Sequence, residues 1–236
     1  TDGSFYGIDA SNGTPATLIA VGTSGLIQRS TDSGATWSSV TAPTTSSLYA
    51  VSAQSTSGFV VVGASGTIHY SSNNGVSWST RTSGVTNTLN GVHCLSTSCL
   101  AVGSSGTILL STDSTANVWS RSTNPNTDTL YAVAQYSATS AVAVGSFGRI
   151  LWSGNGGVSW TPLTSPTANT LYTVVSAGNG RYLAADSAGV VIASSDGQEW
   201  HIFSPSLGNS LYGLDILGNF GAGVGTDRLF LRVTLP

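Results

Sequence analysis

The feature that most constrains this chain is a repeat of about 41 residues that runs through it six times. Three ladders of residues keep step with one another. A bulky pair opens each repeat: Phe5-Tyr6, Leu48-Tyr49, Leu89-Asn90, Leu130-Tyr131, Leu171-Tyr172 and Leu211-Tyr212. A G-x-x-G step follows at Gly22/Gly25, Gly63/Gly66, Gly103/Gly106 and Gly145/Gly148, then decays to Asp186/Gly189 and Gly225/Arg228. A tryptophan closes the repeat at Trp37, Trp78, Trp119, Trp160 and Trp200, and the sixth repeat has none. The spacings run from 39 to 43 residues, and registered ladders of that period mark a repeat architecture.

The local pattern decides which architecture. In the second repeat LYAVSA, FVVVG, GTIHYSS and VSWSTRT read as four strands, by alternation and by the turn residues between them. A helical solenoid needs an apolar period of 3.6 residues, which is absent, and a sandwich would not repeat so strictly. The glycines supply the positive φ of a tight hairpin between the second and third strands. Each tryptophan offers a large apolar plate for packing neighbouring units. Four short antiparallel strands per repeat make the blade of a β-propeller. The expected fold is therefore all-β, a six-bladed propeller in one domain over 1–236, with blades at about 5–47, 48–88, 89–129, 130–170, 171–210 and 211–236. The sixth is expected to lack its outer strand.

Composition bounds the surface. Charged residues make up 7%, with no Lys, seven Arg and a single Glu, Glu199. Ser and Thr number 39 and 30, yet 40% of residues are apolar, so the chain folds rather than remaining disordered. Its surface is then hydroxyl and amide, and a net charge of −3 does little to oppose association. O-linked sugars, packing against copies of itself, or a neutral secreted surface all fit. Seven scattered Arg make no phosphate-binding patch, so nucleic acid is not an expected partner. No apolar run reaches the roughly 18 residues of a membrane span. Cys94 and Cys99, in HCLSTSCL, face each other across a turn at disulfide range. The pair implies an oxidising, secreted or periplasmic setting and closes only a short loop.

The segment Ser30-Thr31-Asp32-Ser33-Gly34-Ala35-Thr36-Trp37 has the form S-x-D-x-G-x-x-W. It resembles the Asp-box of bacterial-neuraminidase-type repeats. With the upstream G-x-x-G-x-I hairpin, nearly the whole chain resembles the photosystem II assembly/stability factor-like propellers. The box recurs around Asn73 and Trp78, around Asp113 and Trp119 with one extra residue, around Asn155 and Trp160, and around Asp196 and Trp200 one residue short. The resemblance implies a structural turn, in which the Asp or Asn side chain accepts from nearby backbone N–H groups. Propellers of this kind occur in sialidases, glycan binders and assembly factors.

The enzyme readings are weak. Sialidase chemistry needs an arginine triad on the substrate carboxylate, a Tyr–Glu pair and an acid/base Asp. Here Glu199 sits beside Trp200, and Arg81, Arg121, Arg149 and Arg181 occupy scattered repeat positions. Other glycosidases need two facing carboxylates, and no pair stands out. His69, His93 and His201 lie at non-equivalent positions with no acids or thiols converging on them. No catalytic, cofactor or metal residue is expected, and no cofactor.

Binding is expected where the repeats depart from their bland Ser and Thr turns. Phe147 and Arg149, Asp186, and Asp227 with Arg228 form a candidate patch on consecutive blades for a protein or a glycan, against the plain alternative of repeat drift. The crossovers suit O-glycosylation at Thr44, Thr45, Thr164 and Thr167, and Asn12-Gly13-Thr14 is the single N-x-[ST] sequon. Leu229, Leu231, Val233 and Leu235 form a candidate assembly edge, to be covered by the N-terminal segment or by a neighbouring subunit. Such a contact, repeated without closing, makes a filament. The expected function is a secreted, non-catalytic structural or assembly subunit. A glycan- or protein-binding module is the alternative, and a hydrolase a remote one.

Overall fold

Each repeat folds into one antiparallel sheet whose strands lie in chain order. The computed structural model describes residues 3–217, 220–228 and 230–234. The first three sheets are β1 (Phe5–Ala10), β2 (Leu18–Gly22), β3 (Ile27–Ser30) and β4 (Ser38–Val40); β5 (Leu48–Ala53), β6 (Phe59–Gly63), β7 (Ile68–Ser71) and β8 (Ser79–Arg81); and β9 (Leu89–Leu95), β10 (Ser98–Gly103), β11 (Ile108–Ser111) and β12 (Ser120–Arg121). The fourth and fifth are β13 (Leu130–Gln135), β14 (Ala141–Gly145), β15 (Ile150–Ser153) and β16 (Thr161–Leu163); and β17 (Leu171–Gly178), β18 (Arg181–Asp186), β19 (Val191–Ser194) and β20 (His201–Ser204). The last has three strands, β21 (Leu211–Leu217), β22 (Phe220–Gly225) and β23 (Phe230–Thr234). These are the blades of an all-β, six-bladed β-propeller, with no α-helix among the described residues. By contacts the chain divides into two compact units, Thr1–Arg121 with blades one to three and Ser122–Pro236 with blades four to six.

Within each unit the core lies between neighbouring blades. Phe59 and Val61 of β6 join Ile19, Val21, Ile27 and Leu48 in a cluster between blades one and two. Val60 and Val62 of the same strand join Leu89, Val92, Ala101 and Leu109 between blades two and three. A strand buried on both faces reads as an unbroken apolar run, which is why FVVVG does not alternate. In the second unit Val142, Val144, Leu171 and Tyr182 fill the space between blades four and five, and Leu183, Ala185, Val191 and Leu211 that between five and six. Trp78, Trp119 and Trp200 pack against these clusters, as expected of plates between blades.

Three readings need correction. The fourth strand of blade two begins at Ser79 rather than Val76. The N–H groups of Val76 and Ser77 are already committed to the Asn73 carbonyl and side chain, so the turn holds these residues out of the ladder. The two glycines of G-x-x-G also have different reasons. Gly63 is extended, at φ −167, and a Cβ there would run into the Ser47 carbonyl oxygen. Only the second glycine, Gly66 at φ 69, supplies a positive φ. Finally, Leu231 packs partly buried against the core between blades five and six, so its own side chain turns to that core rather than to an open edge. Leu229 and Leu235 lie outside the described residues, and Val233 is described in its backbone alone.

Candidate functional site

Five of the hairpins between second and third strands are single 3-10 turns whose middle residue lies in the left-handed region. Those residues are Ser24 (φ 52), Ser65 (φ 55), Ser105 (φ 54), Phe147 (φ 57) and Asp227 (φ 53). For an L-residue this conformation is unfavourable by about 1–2 kcal/mol, and short polar side chains tolerate it best. Phe147 has no such relief. The residue is 77% exposed, so core packing does not compensate either. Phe147 is thus a bulky aromatic held in a strained turn and left in water.

Arg149 stands two residues on. Its Nε and Nη2 donate to Asp128 Oδ2 at 3.0 and 2.8 Å. Asp128 is itself positioned by the crossover from blade three, where Asn126 Nδ2 donates to the same carboxylate oxygen at 2.9 Å and Asn126 Oδ1 accepts from the Asp128 N–H at 2.7 Å. The Asn126 hydrogen bond, and then Arg149, hold the Asp128 carboxyl below the usual aspartate range. Phe147 and Arg149 border a pocket of about 360 Å³ whose floor includes Leu163, Pro166 and Ala168.

A second element lies at the same end of these blades. Leu130 pairs with Gly145 and Ala132 with Val144, which leaves Tyr131 as a bulged residue. Tyr172 and Tyr212 are bulged in the same way. Bulges re-aim side chains, and here the rings form a row: Tyr131 to Tyr172 at 5.4 Å between centroids, Tyr172 to Tyr212 at 5.0 Å. Burial, and then its two ring neighbours, raise the Tyr172 phenol above its ordinary value. In the first unit Tyr6 and Tyr49 make the same contact at 5.4 Å, but blade three has Asn90 at the position. Sequence reasoning registered these residues only as strand openers. The signal available was the second member of each bulky pair, aromatic in five repeats of six.

Other expected site residues fall elsewhere. Asp186 is fully buried and belongs to no surface patch. Its carboxylate accepts from Thr167 Oγ1 and Asn169 Nδ2 at 2.9 Å each, and from the N–H groups of Ala188 and Val190 at 2.9 Å each. Thr167 is accordingly committed to that carboxylate rather than presented for a sugar. Thr45, Thr164 and Asn12 are exposed, and Thr44, half-buried, accepts from the Ser46 N–H. Asp227 is exposed at its turn, and Arg228 is described in its backbone alone. Cys94 and Cys99 form a disulfide across the β9–β10 pairing, with Cα atoms 4.1 Å apart. Among the described residues no three His, Cys, Asp or Glu side chains come together as a metal site would require.

The Asp-boxes are turns, as the resemblance implies. Asp32 accepts from the Thr36 N–H and hydroxyl at 2.8 and 2.6 Å, Asn73 from the Ser77 N–H, Asn155 from the Ser159 N–H, and Asp196 from Gln198 and Glu199. The Thr36 hydroxyl and N–H bring the Asp32 carboxyl down to about 2. At Asp113 burial works upward, but the Thr115 hydroxyl and the N–H groups of Asn117, Val118 and Thr115 outweigh it and lower the carboxyl. The box tryptophans close the turn: Nε1 of Trp37, Trp119, Trp160 and Trp200 each donates to the carbonyl three residues earlier.

Fold and turns together define an Asp-box β-propeller. The model of the photosynthesis system II assembly factor YCF48 family matches residues 29–207, and the chain belongs to that family. No curated protein matches it by sequence. A solved structure of YCF48 bound to a D1 peptide is similar at 17% identity and a TM-score of 0.76, over 99% of this chain and 78% of that one. YCF48 from Cyanidioschyzon merolae is similar at 18% identity and a TM-score of 0.63, over 99% and 96%. The GH74 xyloglucanase of Xanthomonas campestris shares the fold at 11% identity and a TM-score of 0.75, over 98% of this chain and 44% of the enzyme.

Proposed function

We propose that this propeller is a non-catalytic, protein-binding scaffold of the assembly-factor kind. It takes an extended peptide on the face of blades four to six that carries Phe147, Arg149 and the row from Tyr131 to Tyr212. The observation that carries this reading is Phe147: an exposed ring in a left-handed turn beside a guanidinium already locked by Asp128. An aromatic anchor beside a pre-set Arg is a common core of protein-binding surfaces. Family membership and the likeness to YCF48 bound to a D1 peptide support it. A labelled D1 peptide is titrated against the wild-type chain and against F147A and R149A, followed by fluorescence polarisation. Binding that weakens at least about tenfold in F147A is expected, the loss of one anchor. No binding to the wild type, or binding indifferent to both changes, sinks the reading.

A second reading has its own support. β23 pairs with β22 and, among the described residues, has no strand on its other side, whereas every other blade has a fourth strand. Together with a hydroxyl-rich surface and a disulfide, this favours a secreted structural subunit that associates with copies of itself through that edge and carries sugars at Thr45, Thr164 or Asn12. Intact mass against 23.9 kDa tests the sugars, and light scattering across a concentration series tests the association. An unmodified mass and a concentration-independent monomer end this version.

A further inference from the structure

The first unit holds a second candidate site, on other blades and independent of the peptide-binding face. Arg81 pairs across the ladder with Ile68, and Arg121 with Leu109. Residues directly opposite on neighbouring strands project from the same face of a sheet. Ile68 and Leu109 both belong to the apolar cluster between blades two and three. Arg81 therefore lies on the wall of blade two that faces blade three, and Arg121 on the wall of blade three that faces blade two. A one-residue offset accounts for this: Arg81 is the third residue after its box tryptophan, Arg121 the second. The same offset makes the two arginines look unrelated in the repeat.

Both guanidiniums border an open cleft of about 610 Å³, within the usual size range of small-ligand sites. Arg81 is fixed in place: its Nε donates to the Thr115 carbonyl at 3.2 Å, and its Cζ lies 5.1 Å from the centre of the Tyr70 ring. Arg121 is exposed, and no acceptor among the described residues engages it. The free polar groups of the remaining lining are the hydroxyls of Thr82 and Thr86 and the amide of Asn87, the Ser83 hydroxyl being buried and bonded to the Val85 backbone, and no carboxylate lines the cleft. In a chain of net charge −3, two of seven Arg thus share one cleft with no acid to neutralise them.

We infer that this cleft binds an acidic sugar, a carboxylated polyhydroxy ring such as a hexuronate unit of an oligosaccharide. The carboxylate sits between Arg81 and Arg121, where guanidinium forks match it in geometry and charge. The ring hydroxyls exchange hydrogen bonds with the Thr82, Thr86 and Asn87 side chains, which offer both donors and acceptors. A polyphosphate would call for more positive charge than two Arg, and an apolar peptide would find Val85 as its one apolar side chain in the lining.

The test is calorimetric titration of the full chain with trigalacturonate, maltotriose and a tri-glutamate peptide, at low and at physiological salt. Trigalacturonate binding that weakens with salt and drops about tenfold or more in R121Q, while maltotriose stays silent, is the expected result. R121Q alters an exposed side chain and keeps the fold; R81Q, which also loses the Tyr70 contact, is read only with its melting temperature alongside. Absence of trigalacturonate binding, or binding unchanged in R121Q, overturns the site. Equal binding of maltotriose removes the role of the arginines, and equal binding of tri-glutamate overturns the sugar assignment. D1-peptide binding is measured on the same R121Q sample, where the separate face predicts no change.

Discussion

The two units are built from the same kind of blade but use its positions differently. In the first, all three left-handed turn tips are serine, the tyrosine row stops at Asn90, and two arginines converge on an inter-blade cleft. In the second, the tips include Phe147 and Asp227, the tyrosine row is continuous, and the blade-five turn carries a buried carboxylate in place of glycine. The backbone of the repeat tolerates these exchanges because its core is built from second and third strands that change little. Function, on this reading, is written on turn tips, bulges and outer-strand registers.

The sharpest way to break the comparison is at Asp186. Its four donors replace what glycine does in the other blades, where a Cβ would collide with a neighbouring carbonyl. D186A strands two side-chain and two backbone donors in a buried site, and we expect a loss of about 3–4 kcal/mol by urea denaturation. D186G restores the residue of the sibling blades and should recover little, since Thr167 and Asn169 stay unpaired. Full recovery by glycine would show that blade five is an ordinary blade with a drifted residue.

That outcome bears on how much of the molecule was legible. The six-fold period, the strands and the turn role of the boxes could be read from three ladders, because each rung has one backbone reason that recurs. Asp186 could not be read in this way. Alone at a turn it looks like a surface charge; its burial depends on Thr167 and Asn169, in the crossover before blade five. Phe147 was legible as a departure, but its strain was not, since the φ of one residue is hidden until four sibling turns give it a standard. The convergence of Arg81 and Arg121 was invisible because it depends on strand pairing, not on repeat position.

Acid should separate the units next. Two of the three Asp-box aspartates with lowered pKa, Asp32 and Asp113, are in the first unit, and one, Asp196, is in the second. Each folded pKa lies below the ordinary 3.8, so the stabilisation is complete above about pH 4 and is lost as the pH falls toward about 2, where Asp32 titrates. Asn73 and Asn155 hold equivalent turns without titrating. Hydrogen exchange should therefore show the N–H of Thr36 losing protection as the pH falls toward about 2, and that of Asn117, held by the more strongly lowered Asp113, only in stronger acid, while those of Ser77 and Ser159 keep theirs. Simultaneous loss at all four would mean that acid unfolds the protein for another reason.

Phe147 sharpens the contrast with an effect of opposite sign. F147G relieves the left-handed strain and should raise stability by about 0.5–1 kcal/mol while D1-peptide binding falls. S65G, the same change at the equivalent turn of the first unit, should also stabilise slightly and leave peptide binding untouched. A gain in stability together with intact binding in F147G would leave the exposed ring without a purpose.

The smallest expected effect is at Asp128, and it tests whether the second unit's arginine is prepared in advance. The Arg149–Asp128 pair is partly exposed, with side-chain accessibilities of 32% and 25%, so its net worth for stability is about 0.5 kcal/mol. D128A should barely move the denaturation midpoint. It should still weaken peptide binding severalfold, because a freed guanidinium must be ordered anew each time a ligand arrives. R149A in the D128A background distinguishes the two contributions: if Asp128 acts only by holding Arg149, the double variant binds no worse than R149A alone. A further loss in the double variant would place Asp128 itself in contact with the peptide.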